Sequence, residues 1–507
     1  MPSGSALTRS LFDKPIPVNG LIAGLTSWLG LSQLLLWRFL DVMPLWAYCL
    51  ATGAIIALIW AGIRRVPDAP MAAIRPVPVG TFLLCLCVAL ILLMLGGEGR
   101  FFYSNVDWQI RDAVLRDMSI NPWPFVYTAR GFHDVLRAHI GMYFIPALAW
   151  KAWGQTAADI ALLLQNSVLL GILLALASSL LPDRKARWIG LGTFLCFGGL
   201  DILGQLIAHR ELAEHLEFWP FVVQYSSNIT LLFWVPHHAL IGWMGVALYL
   251  MHREGRISLG QFLAPLPLGA LWSPLALIGL LPFAAMAGLG TIYRKQLRLS
   301  DIALPVISTL LALPSLLYLG AANQDVGIRP FPLDLLLWFL FQIIEVLPWL
   351  VPIGVIAWSV RRNRALVIVI ATCLLLMPLV QIGYSADFAM RASVPPLALL
   401  MFLVIEALIG HNPAHRETRK WLISVLALAS FTGAFEIARA FRYPSAAMGQ
   451  CSFMKAWDAN FGDYPKVTYL APLSELPEPI RPDDPHPVSA KEPAQCWPQE
   501  WHRPSGL

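Results

Sequence analysis

Charged residues are scarce in this sequence: they make up only 13% of its 507 residues, whereas apolar residues make up 57%. A soluble domain carries about twice that share of charge, so the soluble classes of protein are excluded. Apolar runs long enough to cross a bilayer recur along the chain, and the mean hydropathy is +0.63. These values predict a polytopic all-α membrane protein.

The net charge of +5 gives no reason to expect a nucleic-acid partner. In membrane proteins, basic residues mainly mark the loops that stay in the cytoplasm. Here they collect in six short loops that lie at alternate ends of the apolar segments: 64–75, 182–188, 252–256, 293–298, 361–364 and 411–420. We therefore expect these six loops to be cytoplasmic.

The crossings between these loops predict about 13 transmembrane helices. The expected spans are 18–38, 43–63, 79–97, 157–181, 187–204, 228–251, 258–272, 273–291, 301–319, 333–358, 365–382, 394–410 and 420–440. The seventh and eighth are short and interrupted by proline, which indicates a hairpin of partial helices. The odd number places the N-terminus in the cytoplasm and the C-terminus in the periplasm of a bacterial inner membrane.

The predicted spans divide the chain into four parts. Residues 1–97 form N-terminal membrane helices, 98–156 a large outer loop, 157–440 a membrane core and 441–507 a Pro-rich outer tail, called the tail below. Cysteine is sparse, and only Cys451 and Cys496 fall outside apolar spans. Because the tail would face an oxidising compartment, we expect a disulfide between them rather than two unpaired thiols.

The outer loop contains the stretch "SNVDWQIRDAVLRDMSINPWP" at 104–124. As a helix over 106–118, it places Asp107 in the middle of the apolar face, while Asp112 and Asp117 point to either side. The three carboxylates therefore do not form a ready-made metal cluster, and we expect Asp112 and Arg116 to form an exposed ion pair.

A carboxylate on an apolar face is costly unless it has a partner or a task. Two interpretations of Asp107 follow: it is a functional group, or it stabilises the helix start and pairs with Arg111 one turn later. The rest of the loop indicates further short amphipathic helices, separated by "NPWP" and Gly131, with 139–154 as a helix lying on the outer membrane surface.

Polar residues from distant parts of the chain are predicted to meet on the same outer side. Singly, each has an ordinary explanation, such as an interfacial side chain or a snorkelling arginine. Their convergence predicts a functional cavity among broken helices. The residues are Gln224, His237, His238, Ser273, Asp387 and Arg391.

The combination of "NVDWQIRDAVLRDM", the aromatic "GMYFIPALAWKAWG", "WVPHHALIGWM" and "DFAMRASVPP" resembles the GT-C superfamily of integral membrane glycosyltransferases. The resemblance implies a polyprenyl-phosphate sugar donor in the membrane and a lipid, polysaccharide or protein acceptor on the outer face. It implies no certain cofactor, although some members of the superfamily use a divalent metal such as Mg or Mn.

The chemistry of the residues fits that reaction. Sugar transfer needs a base for the acceptor hydroxyl and cations or donors for the leaving phosphate. Asp107 is the expected base, and Arg391 the expected phosphate ligand, oriented by Asp387. The further candidates for binding the donor are Arg130, His237, His238, Ser273 and Gln224, with Asp112 and Asp117 as secondary acids. Of these, His237 and His238 are expected to contact either the leaving group or a metal.

Two alternatives remain from the sequence. A transporter or flippase of a lipid-linked saccharide would carry its charges near mid-membrane, with repeated halves and paired broken helices. A non-catalytic partner of a polysaccharide assembly complex would use the tail as a docking surface.

Overall fold

A computed structural model describes residues 11–64, 76–321, 326–383, 386–488, 492–499 and 501–502. Within these residues, nine helices are long and apolar enough to span a membrane. They are Val18–Leu40, Leu45–Ile63, Gln155–Ser179, Arg184–Ala208, Pro274–Tyr293, Leu299–Gly320, Leu335–Ser359, Asp387–Ile409 and Pro413–Arg442. The protein is therefore a helical membrane protein, as the composition predicts.

The other predicted spans are also helical, but shorter or broken. Val79–Leu95, Leu259–Leu271 and Arg364–Leu379 are shorter apolar helices. The sixth predicted span consists of Asn228–Trp234 and Pro236–Arg253, which meet at Val235. A 17-residue helix is about 25 Å long, less than the roughly 30 Å of bilayer hydrocarbon, so the number 13 stays a prediction.

Several long apolar helices contain internal breaks. Arg184–Ala208 divides into Arg184–Cys196 and Asp201–Ala208, and Asp387–Ile409 into Asp387–Ala392 and Val394–Ile409. The remaining helical pieces are Leu335–Phe341, a π-helix at Gln342–Val346, Leu347–Ser359, Arg364–Leu376, Leu259–Leu263, Pro265–Leu268 and Arg416–Arg442. Single-turn 3₁₀ segments join many of these elements.

The expected hairpin of two partial helices is half wrong. The seventh predicted span is broken at its prolines, but the eighth is the continuous 20-residue helix Pro274–Tyr293. Ser273 caps its start by accepting a hydrogen bond from the Ala276 N–H. Pro274 stands in the first turn, where its missing N–H costs nothing, and Pro282 is accommodated inside the helix.

The basic loops gather at one end of the bundle. The Arg256 guanidinium donates to the Ser179 carbonyl at 2.9 Å. Arg253 and Arg362 both lie within 4 Å of the Glu406 carboxylate, at 3.4 and 3.7 Å. These contacts join two of the predicted cytoplasmic loops, 252–256 and 361–364, to the ends of the helices Gln155–Ser179 and Val394–Ile409.

The large loop begins with the predicted amphipathic helix, Val106–Ile120, called the loop helix below, and ends with the helix Phe144–Trp153. Between them, the expectation of further helices is wrong. Phe125–Tyr127 and Asp134–Leu136 form an antiparallel β-hairpin. Gly131, at φ +85°, supplies the left-handed turn residue that the hairpin needs.

The tail completes a small sheet on this hairpin. Leu470–Pro472 pairs antiparallel with Asp134–Leu136, and His486–Pro487 pairs parallel with Phe125–Tyr127. The tail also contributes the helix Phe453–Phe461, which packs on the loop helix. Two further strand pairs are Pro15–Ile16 with Val77–Pro78, and Ile328–Pro330 with Val380–Ile382.

Cys451 and Cys496 form a disulfide, as the sequence predicts. Beside the disulfide, the Gln450 N–H donates to the Cys496 carbonyl at 2.7 Å. One continuous hydrophobic core runs from the membrane helices through the loop helix into the tail.

Candidate functional site

The loop helix is held on the bundle by a break in a membrane helix. Pro236 has no N–H, so the break before it leaves nearby carbonyls in need of donors. The Trp108 indole donates to the Phe233 carbonyl at 2.8 Å. The Arg111 guanidinium donates to the Trp234 carbonyl. The break thus fixes the loop helix beside the start of Pro236–Arg253.

Asp107 faces this junction and pairs with Arg111, with 2.7 Å between Oδ2 and Nη2. The pair is the one that the second interpretation of Asp107 expected. Asp107 keeps 28% of its side-chain surface exposed, whereas Arg111 keeps only 3%. Asp107 therefore lies on the face towards the bundle, but it is less buried than Asp112 and Asp117, which keep 8% and 0% of their side-chain surface exposed.

Asp112 and Asp117 are the deeply buried acids of the loop helix. The exposed pair of Asp112 with Arg116 is wrong: Asp112 binds Arg100 at 2.7 Å, and Arg100 also binds Asp159 at 3.0 Å. Arg116 instead lies 3.2 Å from Asp117. Burial raises the pKa of Asp112 to about 6, against the opposing effect of Arg100.

Asp117 ties the tail to the loop helix. Its Oδ2 atom accepts hydrogen bonds from the Tyr127 hydroxyl and from the Phe453 N–H, both at 2.8 Å. Burial raises its pKa to about 7, while these two hydrogen bonds lower it. These contacts assign a structural task to Asp117, because they join the loop helix to the hairpin and to the tail.

Three histidines converge next to the helix break. The ring of His139 stacks on His237, with centroids 4.5 Å apart, and lies 4.8 Å from His238. The His238 Nδ1 atom lies 2.7 Å from the Ser273 hydroxyl, which places the N-terminus of Pro274–Tyr293 at the same point. Neither ring nitrogen of His237, which is buried, has a hydrogen-bond partner within the described residues.

Asp387 and Arg391 form a second carboxylate–guanidinium pair at this place. Their closest atoms, Oδ1 and Nη2, are 3.3 Å apart on consecutive turns of Asp387–Ala392. Asp387 is close enough to Asp107 for their charges to repel, and Arg391 is close enough to His139 to disfavour its protonation. Two ion pairs from opposite halves of the chain therefore lie close to each other and to the histidines.

The tail supplies a tyrosine to the same cluster. Tyr469 is part-exposed in area, but its hydroxyl lies in the interior, and burial raises its pKa to about 12. That hydroxyl feels the charges of both ion pairs, and its ring lies 6.0 Å from that of His139. Burial also lowers the pKa of His139 to about 3, helped by the positive charges of nearby arginines.

Two of the predicted donor-binding residues lie elsewhere. Arg130 binds Asp134 within the β-hairpin, with 2.7 Å between Nε and Oδ2. Gln224 donates to the Glu217 carboxylate and to the Ser226 hydroxyl, so it belongs to a separate polar cluster. Each has a strong partner close by in sequence, and a role for either in binding the donor stays a prediction.

Sequence reasoning missed His139 and Tyr469 as members of the cluster. The only signal for His139 was its position at the start of the aromatic stretch after the loop helix. No spacing rule could relate it to His237, which lies about a hundred residues further on. Tyr469 lies in a polar tail whose pairing with the hairpin is not visible in its own pattern.

Comparisons of the chain with protein-family models, with curated proteins and with solved structures gave no match. The resemblance to the GT-C superfamily therefore remains a prediction.

Proposed function

We propose that the protein is an inverting membrane glycosyltransferase of the GT-C type, which moves a sugar from a polyprenyl-phosphate donor to a lipid, polysaccharide or protein acceptor. The observation that supports this most is the meeting of Asp107–Arg111, Asp387–Arg391 and three histidines at one end of a membrane bundle. The cluster combines acids that accept a proton with cations that bind a phosphate.

The proposed reaction assigns Asp107 as the general base. The acceptor hydroxyl would lose its proton to this carboxylate while its oxygen attacks the anomeric carbon, and the bond from that carbon to the phosphate oxygen breaks. Asp107 suits the task because it is partly exposed, so a hydroxyl can reach it, and because Arg111 fixes its orientation.

Arg391 is assigned to the leaving polyprenyl phosphate. Its guanidinium is mostly buried and can bind phosphate oxygens in a two-pronged arrangement, which Asp387 orients. The membrane helices Pro236–Arg253 and Pro274–Tyr293 both begin at the cluster. Their N-terminal dipoles favour an anion at this position.

The sidedness of the site also supports the proposal. The start of Pro236–Arg253 carries the cluster, and its end carries Arg253 among the gathered basic loops. If those loops are cytoplasmic, the site and the tail face the periplasm, with the N-terminus inside. A disulfide in the tail fits that oxidising compartment.

The test uses purified protein in liposomes with a radiolabelled polyprenyl-phosphate sugar and a mixture of membrane-derived acceptors. We expect Asp107→Asn to abolish transfer while donor binding persists, and Arg391→Gln to weaken donor binding. Arg442→Gln, on the exposed end of the helix Arg416–Arg442, is the matched control and should keep full transfer. Transfer by Asp107→Asn at the normal rate would refute the assignment of the base, and failure of the unaltered protein to consume any such donor would refute the function.

A lipid-linked saccharide transporter draws on a different observation. Asp201, Glu217 and Glu345 are buried together within the bundle, close enough that their charges repel. Buried acids away from a surface site are typical of ion-coupled transport. If Glu345→Gln stops movement of a fluorescent lipid-linked saccharide across liposomes while Asp107→Asn does not, the transporter replaces the transferase.

A further inference from the structure

The three histidines are more than neighbours of the two ion pairs. We propose that His139, His237 and His238 bind one divalent transition-metal ion of the zinc class through their imidazole nitrogens. The site does not depend on the proposed transferase reaction, since it is defined by donor atoms alone and can be tested without a sugar donor.

The donor geometry supports the assignment. One ligand nitrogen from each ring can be chosen so that all three lie within 4.8 Å of one another. Two nitrogens bound to a tetrahedral zinc lie about 3.4 Å apart, so the three nitrogens need to approach one another by about 1 Å. The rings of His139 and His237, which are stacked at an interplanar angle of 14°, also need to rotate so that their lone pairs point to one centre. Three imidazoles leave a fourth position open, which is typical of catalytic rather than structural zinc sites.

An independent observation is the state of His237. Its side chain is fully buried, and both ring nitrogens are without hydrogen-bond partners among the described residues. A buried polar group without a partner costs about 1–3 kcal/mol, so native proteins rarely keep one. A metal ion bound to one of these nitrogens would satisfy it, and the rings of His139 and His238 lie close enough to share that ion, with centroids 4.5 and 4.0 Å from that of His237.

His238 is oriented as metal ligands are. The Ser273 hydroxyl lies 2.7 Å from its Nδ1 atom, which leaves Nε2 for a metal. Ser273 is itself held as the cap of Pro274–Tyr293. A hydrogen bond on the far nitrogen of a ligating histidine fixes the ring, and its loss typically weakens metal binding 10–100-fold.

The donor type selects the metal. Imidazole nitrogens suit zinc and similar transition metals, whereas magnesium prefers carboxylate and water oxygens. The charges of the two aspartates and two arginines beside the histidines cancel. A doubly charged ion would therefore give the site a net positive charge, and a phosphate group on the open position would neutralise it.

The test measures metal directly on the full chain, purified without a histidine tag. After chelation and dialysis against stoichiometric Zn²⁺, bound metal is counted by mass spectrometry, and Co²⁺ is added separately to read the coordination number from its visible spectrum. We expect one Zn²⁺ per chain and the intense visible bands of four-coordinate Co²⁺. His139→Ala and His237→Asn should each lower Zn²⁺ affinity at least 100-fold, and Ser273→Ala 10–100-fold.

The matched control is His133→Ala, an exposed histidine of the β-hairpin outside the cluster, which should bind Zn²⁺ normally. Thermal unfolding in detergent identifies variants that fail to fold, and Ser273→Ala provides a milder change if His237→Asn is one of them. Folded protein that binds no Zn²⁺, or cluster variants that bind as well as the control, would overturn the proposal. If Asp107→Asn binds Zn²⁺ and transfers no sugar, both proposals survive; if the unaltered protein binds Zn²⁺ and transfers no sugar, only the metal site does.

Discussion

Replacing Asp117 by Asn should make the docking of the tail independent of pH. Asp117 is fully buried between the loop helix and the tail, and burial raises its pKa from the ordinary 3.8 to about 7. Asn keeps the size of the side chain. Its amide oxygen can accept both hydrogen bonds that Asp117 accepts through a single oxygen, from Tyr127 and Phe453.

The raised pKa determines how the stability of the folded protein changes with pH. The folded protein holds this proton more tightly than the unfolded chain, so folding is favoured at low pH and loses stability as the pH rises from about 4 through about 7. A rise from 3.8 to about 7 corresponds to about 4 kcal/mol in total, of which roughly 3 kcal/mol falls between pH 5 and pH 8. The tail should therefore be held more weakly at pH 8.

Hydrogen exchange of the tail amides in detergent checks this pH dependence. It is measured at pH 5 and pH 8 and corrected for the intrinsic exchange rate. In the unaltered protein we expect protection in Phe453–Phe461 to fall at pH 8, and in Asp117→Asn to change little. Asp463→Asn, on the exposed surface of the tail, is the control and should behave like the unaltered protein. Equal pH dependence in the unaltered protein and in Asp117→Asn would refute the argument.

Two further predictions concern the covalent and steric supports of the site. Replacing both Cys451 and Cys496 by Ser opens a loop whose ends are 45 residues apart, which should cost about 4 kcal/mol and expose the tail to protease; an unchanged digestion rate would contradict it. In Gly279→Ala the new Cβ would lie 2.1 Å from the Ala392 carbonyl oxygen, so we expect the free energy of unfolding to fall by about 1–3 kcal/mol, as measured by thermal unfolding. The control is Gly288→Ala on the same helix, where the new Cβ meets nothing within 4 Å and stability should not change.

The membrane architecture could be predicted because its signals are local. Apolar runs and basic loops each act within one helix or its ends, so the positions of the apolar helices follow from the sequence. The pair of Asp387 with Arg391 is local in the same sense, as the residues are one helical turn apart. The disulfide could be predicted because only two cysteines lie outside the apolar spans.

The contacts that define the cluster join residues far apart in the sequence, so they could not be predicted from local patterns. Each strand of the hairpin has only three residues, too few for an alternating pattern to stand out. Their partners lie more than 300 residues away in the tail. The burial of Asp112 also depends on residues outside the loop helix, because its partner Arg100 precedes that helix and also binds Asp159 of the helix Gln155–Ser179.

The tail is therefore better regarded as part of the site than as an appendage. The Arg137 N–H donates to the Tyr469 carbonyl at 2.7 Å, and the Arg137 guanidinium donates to the Val467 carbonyl at 3.1 Å. These bonds fix the backbone two residues before His139, so one tail segment positions both its own tyrosine and a histidine of the loop. Because neither the hairpin nor the tail strand is stable alone, their pairing must form before the cluster is complete. Loss of the tail should thus disable the site, even though both ion pairs and all three histidines belong to other parts of the chain.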